Sequence, residues 1–323
     1  MLSVLVLTVF VSGCTMPGTD IQLPCFPPFC GTQVIEERAD IVTIKSLNIF
    51  PSKAAPGQQV RLVAYIQNMD KHDKIPQPGL GSNEKISVEL YDYCEGMFNN
   101  IEVSCDGTQN NHKKKCEGIE LLPQEIKEID WTMTVADLPL KTQCELKVRV
   151  HYPYKTTSMT TVYFINHDEM QRQLEEGTFR QRDSLISKGP GPIKAYLTLL
   201  DQQPIPIKDK EGTSALSLEI ENRGDGFPKK TNDGGKKYDI LKDKVTLKLP
   251  EQFKLQTNGN CGFQNNKPKE SINLIKGKSS KIVCPVNFKN MNVPLESSMH
   301  MTVDVEYGYE FRKSVLFRVE PKI

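Results

Sequence analysis

The heptapeptide Val148-Arg-Val-His-Tyr152-Pro-Tyr154 recurs in the second half of the chain as Val303-Asp-Val-Glu-Tyr307-Gly-Tyr309. Each copy alternates large apolar and other residues with the period of two that puts one set of side chains on one face of a β-strand. The register extends beyond the motif. Residues 121–135 lie on residues 274–288 without a gap, so Ile129, Trp131 and Met133 meet Ile282, Cys284 and Val286, and Ile66-Gln-Asn68 matches Ile220-Glu-Asn222. Repetition on this scale means one fold carried twice, and 323 residues accommodate two domains.

Both halves read as strands. In the first, Val60, Leu62, Ala64 and Ile66 share a face, as do Ile86, Val88 and Leu90, then Ile129, Trp131, Met133 and Val135, then Leu146, Val148, Val150 and Tyr152; residues 160–165 follow as a closing strand. In the second, the sets are Leu216, Leu218 and Ile220; Val245, Leu247 and Leu249; Ile282, Cys284, Val286 and Phe288; and Met301, Val303, Val305 and Tyr307, with Phe317 and Val319 closing the chain. Alternating strands at short spacing, with no helices between them, predict an all-β chain of antiparallel sandwiches. The domains are expected at 39–165 and 193–323. Between them, Asn166 and Glu169 predict a capping box and a short helix over 168–176 ended by Gly177, and Gly189-Pro190-Gly191-Pro192 a hinge.

The first 13 residues are almost wholly apolar, about two thirds of the roughly 20 needed to span a bilayer, and fit the core of a signal peptide. Val11-Ser12-Gly13-Cys14 resembles a lipobox, which implies lipidation of Cys14 and a Pro-rich tether over 14–38; the apolar run departs from the pattern in having no Lys or Arg before it. Of the nine cysteines, Cys14 is the odd one. Cys25, Cys30, Cys94, Cys105, Cys116, Cys144, Cys261 and Cys284 form an even set, expected as disulfides outside the cytosol. No C-x-x-C pair suggests zinc. Cys25 with Cys30, and Cys261 with Cys284, are the local pairs. The middle four permit three pairings: Cys94 with Cys144 and Cys105 with Cys116, or the sequential Cys94 with Cys105 and Cys116 with Cys144, stand equally.

The strand order, the Ile-Glu-Asn-Arg-Gly-Asp-Gly turn at 220–226 and the Val-x-Val-x-Tyr-x-Tyr strand resemble the immunoglobulin-like modules, including CARDB-type adhesion modules, of prokaryotic and especially archaeal cell-surface lipoproteins. The resemblance covers roughly 40–165 and 193–320 and implies two tandem immunoglobulin-like sandwiches. The cysteine-bounded insertion at 94–116 departs from the minimal module. No catalytic motif occurs: GxSxG, HExxH, P-loop and GxGxxG are all missing. His151 and His300 sit opposite the apolar set and are expected to face solvent. Gly224-Asp225-Gly226 and Asn232-Asp233-Gly234-Gly235 read as turns rather than a calcium site, given Lys229, Lys230, Lys236 and Lys237 beside them. Lys113-Lys114-Lys115 is a basic patch able to meet a polyanion. No N-x-Ser/Thr acceptor occurs, and a net charge of +1 makes nucleic acid an unexpected partner. The expectation is therefore a non-catalytic lipoprotein without cofactor or metal, on the outer face of the cytoplasmic membrane, acting in adhesion, binding or scaffolding toward a surface protein or glycan. The alternative is an accessory subunit of a membrane transport, secretion or pilus complex.

Overall fold

A computed structural model describes residues 40–78, 85–106, 108–109, 114–138, 140–256 and 261–320. Residues 38–323 form one compact unit. The first half contains β1 (Val42–Phe50), β2 (Gln59–Asn68), β3 (Ile86–Asp92), β4 (Phe98–Cys105), β5 (Lys115–Ile119), β6 (Ile126–Val135) and β7 (Thr142–Asn166). After helix α1 (His167–Glu175), the second half contains β8 (Ile193–Leu199), β9 (Gly212–Asn222), the hairpin β10 (Thr231–Asp233) and β11 (Lys236–Tyr238), β12 (Val245–Lys248), β13 (Phe253–Leu255), β14 (Ile282–Phe288) and β15 (Glu296–Val319).

The halves repeat one arrangement. One sheet of the first half runs β1-β2-β6-β4, and its counterpart in the second runs β8-β9-β14-β13. The facing sheets share one pair of strands: in the first half β3 lies beside β7 and β5 beside β3, and in the second β12 lies beside β15. With the closing strand supplied as described next, the second half has the four-plus-three order of an immunoglobulin-like sandwich, and the first adds β5 as an extra edge strand. The Val-x-Val-x-Tyr-x-Tyr equivalence is therefore structural as well as sequential.

The structure corrects one expectation. Residues 160–165 are not a separate closing strand that turns back on its own half. They are the far end of β7, which runs straight for 25 residues. β15 does the same, and the two pair antiparallel over all 24 residues of β15. Each strand crosses at its tyrosine motif. The first part of β7 is paired with the end of β15, and the start of β15 with the end of β7. The ring of Phe164, near the end of β7, lies 5.2 Å from Phe288 and 5.8 Å from Phe253, both in the second half, while Phe317 of β15 lies 5.3 Å from Phe98 of the first. Each half thus receives its closing strand from the other. Burying a Phe contributes about 1.5–3 kcal/mol, so neither core is complete without the exchanged strand. The symmetry reaches the flanks. Lys53–Ala54 pairs parallel with Arg318–Val319 at the end of β15, and Ile205–Ile207 pairs parallel with residues 164–166 at the end of β7.

Three disulfides close the sandwiches. Cys105 of β4 is bonded to Cys116 of β5, joining the two sheets of the first half; Cys94, just past β3, is bonded to Cys144 of β7; and Cys261 is bonded to Cys284 of β14. The open pairing thus resolves to the nested alternative. Loops of this size gain on the order of 3 kcal/mol from restricting the unfolded chain. Trp131, fully buried on β6, donates its indole N–H to the Lys114 carbonyl at 3.1 Å and ties the insertion to the core.

Helix α1 is capped as expected at Asn166, whose side chain accepts from the Asp168 N–H at 2.9 Å. The reciprocal half of the capping box does not form. The Asn166 N–H donates to the Leu295 carbonyl, and Glu169 instead binds Arg172 and Gln173. Strand continuation from β7 has taken the donor that Glu169 would need.

Candidate functional site

The crossing point of β7 and β15 has an inner and an outer face. Alternation turns Tyr152, Tyr154, Tyr307 and Tyr309 inward, where all four are buried. Tyr152 pairs with Tyr309 and Tyr154 with Tyr307 in register, ring centroids 5.7 Å and 6.2 Å apart. Three hydroxyls are bound: Tyr154 to Asp70 at 3.1 Å, Tyr309 to Asn222 at 2.9 Å and Tyr307 to Thr156 at 2.8 Å. Burial pushes these phenols well above their ordinary pKa. Asn68 and Asn222, equivalent in the repeat, each accept from the N–H two residues on, Asp70 and Gly224. The inner face is a structural clasp. Asp40 is drawn into it through the Asp225 N–H at 2.9 Å, and burial raises the Asp40 pKa.

The outer face carries the cavity. A pocket of about 540 Å³ opens over the crossing point, lined by Lys85 and Ser87 at β3, Lys115 of β5, His151 of β7, and Lys229 and Thr231 from the segment leading into β10. It draws on both halves. Lys229 is held there by donating its N–H to the Gly308 carbonyl at 2.9 Å. Gly308, the residue between the β15 tyrosines, leaves room for the imidazole: a Cβ there would stand 2.7 Å from His151 Nε2, and the ring would have to shift. The copy of the motif in β7 has Pro153 at that place, so the two halves are not interchangeable here.

His151 does not face open solvent as expected. Its Nε2 is buried and has no hydrogen-bond partner. Burial first, then Lys229, Lys115 and Arg149, push its pKa down to about 4, so the ring is neutral at pH 7. Alternation correctly excluded it from the core, but Lys115 and Lys229 line the pocket around it on the outer face. Its equivalent in the repeat, Glu306, meets a cation instead, Lys244 at 3.3 Å. Lys115 pairs with Glu117. Neither Lys85 nor Lys229 has an acidic partner among the described residues. The pocket is therefore net cationic. Sequence reading singled out Lys115 as part of a basic run and His151 as a strand residue, but not the convergence.

His300 is exposed and bonded to Thr161 at 3.0 Å. Lys114 is occupied by Tyr93, its ammonium 4.0 Å from the ring centroid, while Lys113 lies outside the described residues. Asp233 ends β10 before Gly234 and Gly235 at positive φ, and accepts from Ser271, as a turn residue does. Among the described residues no group of three or more His, Cys, Asp or Glu could hold a metal. Cys14, Cys25, Cys30, the leader and the tether lie outside the described residues. No helix among the described residues is long and apolar enough to cross a membrane. The three disulfides fit an oxidising extracellular or periplasmic compartment.

No family model matches the chain, and no curated protein does. Among solved structures it is similar to trypsin-activated α2-macroglobulin from Escherichia coli, at 14% identity and a TM-score of 0.19 over 85% of this chain and 18% of that one. It is also similar to the elastase-activated form, at 14% identity and 0.19 over 88% and 22%. A third is the collagen adhesin CNA from S. aureus, at 10% and 0.10 over 88% and 93%. The chain spans about a fifth of the length of the macroglobulin chains. Likenesses of this size assign no function, and the class is set by the architecture itself: an all-β protein of two immunoglobulin-like sandwiches with exchanged closing strands.

Proposed function

We propose that the protein is a non-catalytic, extracytoplasmic binding protein, held at the outer face of the membrane by lipid on Cys14, that presents a stiff two-sandwich body to a surface protein or glycan. The observation that supports this most is the exchange of closing strands between two disulfide-closed cores. A body braced in this way suits presentation of a surface, since its halves share one 24-residue ladder instead of a swivelling linker. The Pro-rich residues after Cys14 would serve as the spacer from the bilayer, and acyl chains would contribute about 0.8 kcal/mol per buried CH₂ to attachment.

Mass spectrometry of the protein recovered from membranes tests the placement. An acylated Cys14 at the mature N-terminus with Cys94, Cys105, Cys116, Cys144, Cys261 and Cys284 all oxidised supports it. A soluble chain retaining Met1 with free thiols overturns it. Affinity isolation from detergent extracts tests the role: a stoichiometric integral-membrane partner would replace the binding reading with that of an accessory subunit.

A further inference from the structure

We infer that the pocket over the strand crossing binds an oxyanion, the carboxylate or sulfate of a small polar ligand. This rests on the binding role proposed above but not on lipid attachment. Lys85, Lys115 and Lys229 line one cavity together with Glu117, and among the described residues Glu117 pairs with Lys115 while Lys85 and Lys229 have no carboxylate partner. A cluster of like charges around a concave site raises the local concentration of counter-ions. The cavity, at about 540 Å³, is within the roughly 300–1,000 Å³ range of small-ligand sites. His151 lines the cavity with its Nε2 buried near Gly308 and without a hydrogen-bond partner, so its ring reports on whatever binds there. Ser87 and Thr231 supply hydroxyls at the wall, able to bind either the oxyanion or hydroxyls on its carrier.

The site is assembled and not incidental to one strand. Lys85 and Lys115 come from the first half and Lys229 from the second, whose position over Gly308 is fixed by a backbone hydrogen bond. Breaking the strand exchange would scatter the three cations. An acidic sugar, a uronate or sulfated unit, fits both the charge and the hydroxyl-lined wall, and inorganic sulfate offers the charge alone.

The test is an NMR titration of the disulfide-intact protein at pH 7, following the ring signals of His151, with His300 as the exposed control. Sodium sulfate, glucuronate and uncharged glucose are the probes. The expected result is a saturable shift of His151 with sulfate or glucuronate, half-maximal on the order of 1 mM, with His300 and the glucose titration flat. Tighter binding of glucuronate than of sulfate assigns the acidic sugar; binding of sulfate alone assigns the free ion. Lys229→Gln should weaken binding about tenfold with the melting temperature unchanged, and Lys229→Arg should retain it. A His151 signal that stays put with both anions, or that moves in step with His300, overturns the inference, as does binding indifferent to a Lys85→Gln, Lys229→Gln double substitution. Failure here leaves the acylation result standing, so the two readings fail separately.

Discussion

Tyr309 of β15 lies directly opposite Tyr152 of β7, and the repeat makes it the counterpart of Tyr154. The pair Tyr152 and Tyr309 is therefore exchanged with the pair Tyr307 and Tyr154 by a pseudo-twofold axis through the crossing of the two strands. In an immunoglobulin-like sandwich with its own closing strand, this motif would precede a hairpin. Here it runs straight, and a hydroxyl from the motif reaches an Asp or Asn where the second strand of each half ends, Asp70 just past β2 and Asn222 as the last residue of β9.

Loss of the Tyr309 hydroxyl should be felt more than loss of a surface hydrogen bond, because its bond to Asn222 is partly buried and the tyrosine itself is buried. Tyr309→Phe is expected to cost about 1–3 kcal/mol in urea denaturation, with an unchanged denaturant slope. Tyr309→Ala, which also empties the clasp, should cost about 3–5 kcal/mol.

Asp40 carries a pH dependence of opposite sign from an ordinary ion-paired acid. Its folded-state pKa is raised above 3.8 by burial, which opposes the lowering by the Asp225 N–H. The unfolded chain therefore loses its proton first, and stability from this group is lost as pH rises from 3.8 through the folded value. Asp40→Asn keeps an acceptor for Asp225 and cannot ionise. Its melting temperature at pH 7 should equal or exceed that of the unsubstituted protein, and the advantage should vanish below pH 3.8. A variant less stable at pH 7 would show that the charge itself is used.

His151 titrates the other way. Its folded pKa of about 4 lies below the ordinary 6.5, so between those values the unfolded chain binds the extra proton and stability falls as pH falls. His151→Gln removes that dependence. The difference in melting temperature between the two proteins should change between pH 6.5 and pH 4 and be flat above. A flat difference throughout would mean that the ring is solvated.

Much of this architecture can be read from the sequence, and its one surprise has a physical cause. Alternation in residues 142–166 never slips phase: Tyr152, Tyr154, Thr156, Ser158, Thr160, Val162 and Phe164 all point inward and are buried. Thr156, Ser158 and Thr160 are polar, which makes the middle of β7 resemble a break between two strands. The burial of Thr156 and Thr160 is offset because Thr156 is bound to Tyr307 and Thr160 donates to the Leu197 carbonyl at 2.5 Å, whereas the buried Ser158 hydroxyl has no hydrogen-bond partner. The pocket was not legible. Lys85, Lys115, His151 and Lys229 are far apart in the chain, and only the exchange of strands brings Lys229 over the first half. The cysteines gave the set of partners, while the choice between nested and sequential pairs waited on β4 and β5 lying in opposite sheets.

The reciprocal closing strands are tested most directly by the first half in isolation. Residues 39–165, oxidised and without the remainder, lack the segment of β15 around Phe317 and expose the strand around Phe164. They are predicted to show no cooperative unfolding transition and poorly dispersed amide signals as a monomer, and to regain both when mixed with residues 193–323. A monomeric fragment that unfolds cooperatively by itself, with dispersed signals, would contradict the exchange.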